Sequence, residues 1–242
     1  MKAVILAGGK GTRGKPYTEY FPKAMTPIRG KPLIDYIIRY LTSFDFIKEI
    51  IIISDYQGLG GQIRNYYSDV KKGKKITFVQ DTQSGTGGDL LHIEDKLKGE
   101  GEFVLWFVDN LCAIDLAKMR KVFKEKNSTA CIATRTKRKE ETGFAVVEDG
   151  MIKEFKEKPI MKLQLSECLG VYILGKDVIK MIKTKSKQKE INLSFDILQQ
   201  LSKEGKISAY DIDDKEWIDA ESPMVLERNE TLVKKIIKQM GF

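Results

Sequence analysis

The sequence predicts an α/β fold built on a mainly parallel sheet covered on both faces, and three observations carry that prediction. Short apolar, β-branched runs recur at 3–6, 50–53, 76–79, 103–107 and 130–133. Stretches with helical spacing separate them at 32–41, 62–67, 89–96 and 117–124. The first run breaks into a glycine-rich loop instead of a hairpin turn. Nearly continuous apolar strands joined through helices describe a sheet buried on both sides. Sheets of this kind bind ligands beyond the carboxyl ends of their strands, near a switch in strand order. The glycine loop, Gln80 and Asp109 all stand just after strands, which predicts a common crevice.

Taken in order, the first strand, Ala3-Val4-Ile5-Leu6-Ala7, runs into Gly8-Gly9-Lys10-Gly11-Thr12-Arg13-Gly14-Lys15. Glycines let a backbone approach a polyanion closely, and Arg13, Lys15 and Lys23 add positive charge, so the segment reads as a phosphate-binding loop. Gly9 to Gly14 fits G-x-G-x-x-G, and Gly9 to Lys15 fits most of the Walker pattern. Neither survives the residues that follow. Position 16 is a proline, without the hydroxyl the Walker loop needs, and two prolines within 15–22 forbid the helix of a dinucleotide turn. Asp35 has the spacing of a ribose-binding acid but lies in a helical pattern, so a long loop is predicted.

The texture changes after Gly143. Phe144-Ala145-Val146-Val147 and Met151-Ile152-Lys153-Glu154-Phe155 flank Glu148-Asp149-Gly150, where Asp-Gly is a strong hairpin signal. A more antiparallel second half follows, with a strand at 169–174 and helices near 194–201 and 224–239. No linker, internal repeat or hexapeptide β-helix repeat interrupts it, so a single domain is expected, with 1–135 on the nucleotide side and 136–242 on the acceptor side.

Composition narrows the function classes. With 242 residues, 42% hydrophobic and 31% charged, the chain is an ordinary soluble globular sequence. The net charge of +8 comes from scattered lysines and arginines without a basic tail, which disfavours a nucleic-acid partner and suits small anionic substrates. Cys112, Cys131 and Cys168 lie far apart in apolar surroundings and read as core thiols in a reducing cytoplasm. No apolar run approaches the roughly 20 residues of a membrane span. His92, the single histidine, reads as a surface or boundary residue.

The motif order adds to this reading. Leu6-Ala7-Gly8-Gly9-x-Gly11-Thr12-Arg13, Pro16-x-Thr18, Pro22-Lys23 and Lys31-Pro32-Leu33-Ile34 resemble the sugar-1-phosphate nucleotidyltransferase family. So do Gln80 with Gly85-Thr86, Val108-Asp109-Asn110, Gly143 to Glu148, Phe155-x-Glu157-Lys158-Pro159, Gly170 to Ile173 and Trp217-Ile218-Asp219, covering nearly the whole chain. The resemblance implies a Rossmann-like three-layer α/β/α fold and Mg²⁺-dependent joining of a nucleoside triphosphate to a sugar 1-phosphate. It implies nucleotide contacts at Leu6, Ala7, Gly8, Gly9, Gly11, Thr12, Arg13, Lys23, Gln80, Gly85 and Thr86, with Arg13, Lys23 and Lys158 catalytic. Gly143, Glu157 and Lys158 would hold the sugar phosphate, and Asp109 and Asp219 the metal. The chain departs from the family at Val108, at Cys168-Leu169 and at Glu221-Ser222-Pro223. A non-sugar phosphate acceptor and a non-catalytic nucleotide-sugar-binding protein stay open as alternatives, as do the base, the sugar and a homo-oligomeric state.

Overall fold

The structure, a computed structural model, describes residues 1–67 and 69–242. Strand β1 (Lys2–Leu6) leads into the glycine loop, which winds through three 3₁₀ turns at Thr12–Gly14, Tyr17–Glu19 and Lys23–Met25. The long loop expected from the prolines is therefore present. A small ribbon, β2 (Pro27–Ile28) and β3 (Lys31–Pro32), precedes α1 (Leu33–Thr42), and then come β4 (Glu49–Ser54), α2 (Gly61–Tyr66), β5 (Val70–Lys71), β6 (Lys74–Gln80) and α3 (Gly85–His92). Next are β7 (Glu102–Phe107), β8 (Asn110–Cys112), α4 (Leu116–Glu125), β9 (Ala130–Lys139), the hairpin β10 (Phe144–Glu148) and β11 (Met151–Lys156), and the long β12 (Ile160–Gly175). The chain ends with α5 (Lys176–Thr184), a π-helical turn (Leu193–Leu198), α6 (Gln199–Lys203), β13 (Ile207–Asp211), β14 (Trp217–Asp219), α7 (Pro223–Arg228) and α8 (Glu230–Gln239).

Eight strands form the main sheet in the order β13-β9-β12-β7-β1-β4-β6-β5. β1 pairs in parallel with β4 on one side and β7 on the other, and β4 continues in parallel to β6. The chain thus moves outward from β1 to β6 and then returns to β1's other edge, so the strand order reverses between β1 and β7. Ligand crevices open at such a point. Side chains alternate across the sheet as a period of two requires. Ala3, Ile5, Val104 and Trp106 join α1 and α4 in one buried layer. Val4, Phe103 and Leu105 join α3, α5 and α6 in the other. A third cluster packs Leu226, Val233, Ile236 and Ile237 of α7 and α8 against Leu33, Tyr36 and Ile218.

Local chemistry explains several boundaries. Asp115 caps α4 by accepting from the Ala117 and Lys118 amides at 3.1 and 3.0 Å. The Asp149-Gly150 turn has φ of +48° and +74°, the mirror-image turn geometry that the dipeptide predicts. The hairpin is exposed along both strands and forms its own two-stranded sheet.

Tertiary contacts move other boundaries. The helix expected at 89–96 spans Gly85–His92 and passes to a 3₁₀ turn at Glu94–Leu97, because the Gly87 amide donates to Ile191 O at 2.8 Å and anchors the earlier start. The helix expected at 224–239 breaks at Asn229, whose side-chain amide donates to Val225 O at 2.9 Å. The expected 194–201 helix starts as a π-helix capped by Asn192. The second half is not wholly antiparallel, since β13 pairs in parallel with β9. Cys168 is exposed, because the buried part of β12 begins only at Leu169; it is no core thiol, unlike Cys112 and Cys131. His92 is exposed. Among the described residues no helix is long and apolar enough to cross a membrane.

Candidate active site

A cleft of about 510 Å³ opens at the strand-order reversal, lined by Leu6 to Lys10 after β1, Asp55 after β4, Asp81 after β6 and Phe107 to Asp109 along β7. Ladder hydrogen bonds continue past the strands, with the Ala7 amide donating to Ile53 O at 2.8 Å and the Val108 amide to Leu6 O at 3.1 Å, so both rims are held by the sheet. Farther along the loop, Thr18 Oγ1 donates to Gly11 O at 2.7 Å. Gly9 has nothing within 4 Å of where a Cβ would stand, so no packing in the protein demands a glycine there. The space beside it is open on the cleft.

At the β7 end, a two-stranded ribbon of β8 and β14 places Asp219 opposite Asn110, and the Ala220 amide donates to Asp109 O at 2.6 Å. Two carboxylates 110 positions apart in sequence thereby become neighbours. Asn110 organises the junction: its Oδ1 accepts from Gly170 N at 2.9 Å and Trp217 Nε1 at 2.8 Å, while its Nδ2 donates to Asp109 Oδ1 at 2.8 Å. Asp109 Oδ2 is left to Lys23 Nζ at 3.1 Å. Arg13 Nη1 reaches Glu221 Oε2 at 2.6 Å and Asp219 Oδ2 at 3.8 Å. The Asp219 carboxyl is pushed up to about 6 by burial first and by Asp109 second, with Glu221 adding to the rise and Lys23 and Arg13 opposing it. Its Oδ1 is buried without a hydrogen-bond partner.

Three carboxylates against two cations leave this corner one negative charge in excess, and its donors are hard oxygens. Mg²⁺ needs only one or two protein carboxylates, with water and phosphate oxygens completing its shell. The orphaned Asp219 Oδ1 and the adjoining Asp109 fit such an ion. Among the described residues no group of three or more His, Cys, Asp or Glu side chains suits a metal, so a denser all-protein cage is not what this corner offers.

Leu6, Ala7, Gly8, Gly9, Lys23, Gly85, Thr86 and Asp109 line the cleft, whereas Arg13 and Asp219 do not; Asp219 is tied to its edge by the hydrogen bond from the Ala220 amide to Asp109 O, and Arg13 stands 3.8 Å from Asp219. Gly11 and Thr12 do not line it. Gln80 is also absent from the lining, and its amide is fully engaged. Its Oε1 accepts from the Tyr56 and Gln57 amides, and its Nε2 donates to Asp55 Oδ1 at 2.8 Å and Asp81 O at 2.9 Å. Thr86 Oγ1 accepts from Leu193 N at 2.9 Å. Gly143, Glu157 and Lys158 lie on the exposed arm outside the cleft, Lys158 with φ of +46° at the return from β11 to β12.

Asp55, Asp81, Asp89 and Glu221 were not singled out by their chemistry in the sequence. Asp89 carried a usable signal, a charge beside Gly87, Gly88 and Leu90 on the buried side of a short helix. Its carboxyl is pushed up to about 6 by burial and then by Asp81.

The family profile described as "Nucleotidyl transferase" matches residues 2–226. The chain belongs to that family. It is 31% identical over 238 residues to the UTP–glucose-1-phosphate uridylyltransferase of Synechocystis sp., covering 90% of this chain and 60% of that protein. It is 32% identical over 193 residues to mannose-1-phosphate guanylyltransferase 1 of Arabidopsis thaliana, covering 76% and 53%. The chain thus spans little more than half the length of these relatives. A Bacillus anthracis protein assigned as a glucose-1-phosphate thymidylyltransferase, solved with sucrose, superposes with a TM-score of 0.76 at 27% identity over 100% of this chain and 99% of its own. The α/β fold with a mainly parallel mixed sheet is that of this nucleotidyl transferase family.

Proposed function

We propose that the chain joins a nucleoside triphosphate to a sugar 1-phosphate, releasing pyrophosphate and a nucleoside-diphosphate sugar. The observation that carries this is the convergence of Lys23, Asp109, Asp219 and Arg13 beside an unencumbered Gly9 at the β1/β7 reversal. In the reaction an oxygen of the sugar phosphate attacks the α-phosphorus in line, the new P–O bond forms, and the bond from the α-phosphorus to the bridging oxygen breaks. Anion approaches anion, so positioning and positive charge are the main demands.

Gly8 and Gly9 offer close backbone approach for the phosphates. Lys23, held against Asp109, supplies a cation at the cleft wall, and Arg13 supplies a planar fork at its edge. Asp109 and Asp219 would hold Mg²⁺, whose charge when bound would offset that of the two phosphates. Asn110 fixes the Asp109 carboxylate so that one oxygen stays directed to Lys23. Lys158 and Glu157 would take the acceptor's phosphate and hydroxyl.

Pyrophosphate release, screened across triphosphates and phosphorylated acceptors, tests the proposal. With a productive pair found, Lys158→Ala should raise the acceptor KM and lower kcat while leaving triphosphate affinity within about twofold, because its partner is the attacking phosphate. Collapse of triphosphate binding with acceptor kinetics unchanged would reverse the assignment. Tight nucleotide-sugar binding without release for any acceptor would favour the alternative of a non-catalytic nucleotide-sugar-binding protein.

A further inference from the structure

The two ends of the cleft differ in how their carboxylates are paired. At the β7 end Lys23 pairs with Asp109, and Arg13 stands beyond the lining with Asp219 and Glu221, whereas Asp55, Asp81 and Asp89 on the far side form no ion pair among the described residues. The β7 corner also carries net negative charge, but its cations can turn to phosphate oxygens, while the three unpaired acids offer a triphosphate only repulsion. On the nucleotidyl-transfer reading, the base then lies against the carboxylates.

The three acids are not equally satisfied. Asp55 Oδ1 accepts from Gln80 Nε2 at 2.8 Å, and Asp81 Oδ1 accepts from Gln83 N at 2.6 Å. Asp81 also packs on the loop, its Oδ2 lying 1.5 Å from where a Cβ on Gly8 would stand. Asp89 is 8% exposed and lines the cleft, yet its Oδ1 has only two long contacts, from Thr82 N and Thr82 Oγ1 at 3.4 Å each, and its Oδ2 has no partner among the described residues. A carboxylate so deeply buried is charged at little cost only when donors complete it. Gln80, the residue expected to read the base, has no free donor or acceptor left to do so.

We infer that Asp89 reads the base and selects guanine. An ionised carboxylate only accepts hydrogen bonds. Guanine presents two adjacent donors, N1–H and N2–H, that match its two oxygens in a bidentate pair. Adenine and cytosine present one exocyclic amine beside a ring acceptor. Uracil and thymine present one N–H between two carbonyl oxygens, which the carboxylate repels. The burial that raises the Asp89 carboxyl in the empty protein is the cost that a bidentate partner offsets.

Calorimetric titration of the intact chain with GTP, ITP, ATP, CTP, UTP and dTTP, each with Mg²⁺, tests this. GTP should bind at least about 100-fold more tightly than UTP or dTTP, and about tenfold more tightly than ITP, which lacks the 2-amino donor. Asp89→Asn should lose the preference for GTP and gain xanthosine triphosphate, because the asparagine amide can donate to the C2 carbonyl while its oxygen still accepts from N1–H. A structural role alone would not move that exchange. If the variant does not fold, the wild-type series decides alone. Binding of a pyrimidine triphosphate as tight as GTP, equal binding of ITP and GTP, or an unchanged GTP preference in Asp89→Asn overturns the assignment while leaving nucleotidyl transfer standing. Failure of every triphosphate to bind overturns both.

Discussion

Replacing Asp219 with asparagine should stabilise the metal-free protein while abolishing pyrophosphate release. Burial, Asp109 and Glu221 together lift its carboxyl from an ordinary 3.8 to about 6. At about 1.4 kcal/mol per pKa unit the ceiling on that penalty is about 3 kcal/mol. The side chain is 37% exposed, so solvent screens much of it and about 1 kcal/mol is the expected remainder. The folded value lies above the unfolded one, so the native state binds the proton more tightly. The penalty is therefore absent below pH 3.8 and complete above about pH 6. In chelator at pH 8, Asp219→Asn should melt about 2–4 °C above the wild type, the shift that about 1 kcal/mol gives a chain of this size. The difference should shrink towards zero as the pH approaches 4. Melts at both pH values, paired with a pyrophosphate-release assay in Mg²⁺, read the two effects separately. A variant that melts lower than wild type at pH 8, or that keeps Mg²⁺-dependent release, would refute the argument that this carboxylate is kept against stability for the sake of a cation.

Two glycines give a second pair of outcomes. Gly85→Ala should cost about 3 kcal/mol or more by thermal melt, because φ is +81° and the new Cβ would stand 2.6 Å from Ile191 O; Gly9→Ala should leave the melt unchanged but weaken triphosphate binding in titration. Arg13→Ala should lower turnover by about tenfold or more through a lost charge-assisted contact, with the melt nearly unchanged because its Glu221 pair is exposed, whereas Lys15→Ala, whose partner is Glu19 at 3.2 Å, should do less; equal kinetic losses would mean that only the loop's total charge matters.

The parallel half of the fold was legible because its strands are apolar throughout and its helices amphipathic, signals that survive without any tertiary knowledge. Strand β13 escaped because Ile207-Ser208-Ala209-Tyr210-Asp211 is a short edge segment of mixed polarity. Cys168 misled because apolar neighbours in sequence do not say where along a long strand burial begins. At the site, the glycine loop, Lys23 and Asp109 follow from local pattern, since each lies directly after a strand or in the loop itself. The proximity of Asp219 to Asp109 follows from the resemblance and is explained by the β8–β14 ribbon, a pairing between segments more than 100 residues apart. Gln80 shows the opposite limit. An amide suits a base edge, but nothing in the sequence reveals that the turn at Tyr56 and Gln57 already occupies it.

The junction at Asn110 also sets an order of assembly. One side chain is met by Gly170 from β12 and Trp217 from β14, and both arrive late in synthesis. A nascent chain that has completed the four parallel strands β7-β1-β4-β6 already holds the glycine loop, Lys23 and Asp109. It still lacks β12 between β7 and β9, the contacts that hold Asn110, and the second carboxylate. Because residues emerge from the N-terminus onward, the glycine loop, Lys23 and Asp109 are made well before the segment that carries Asp219. On the proposed function, the metal corner is complete only once that last ribbon strand has been synthesised.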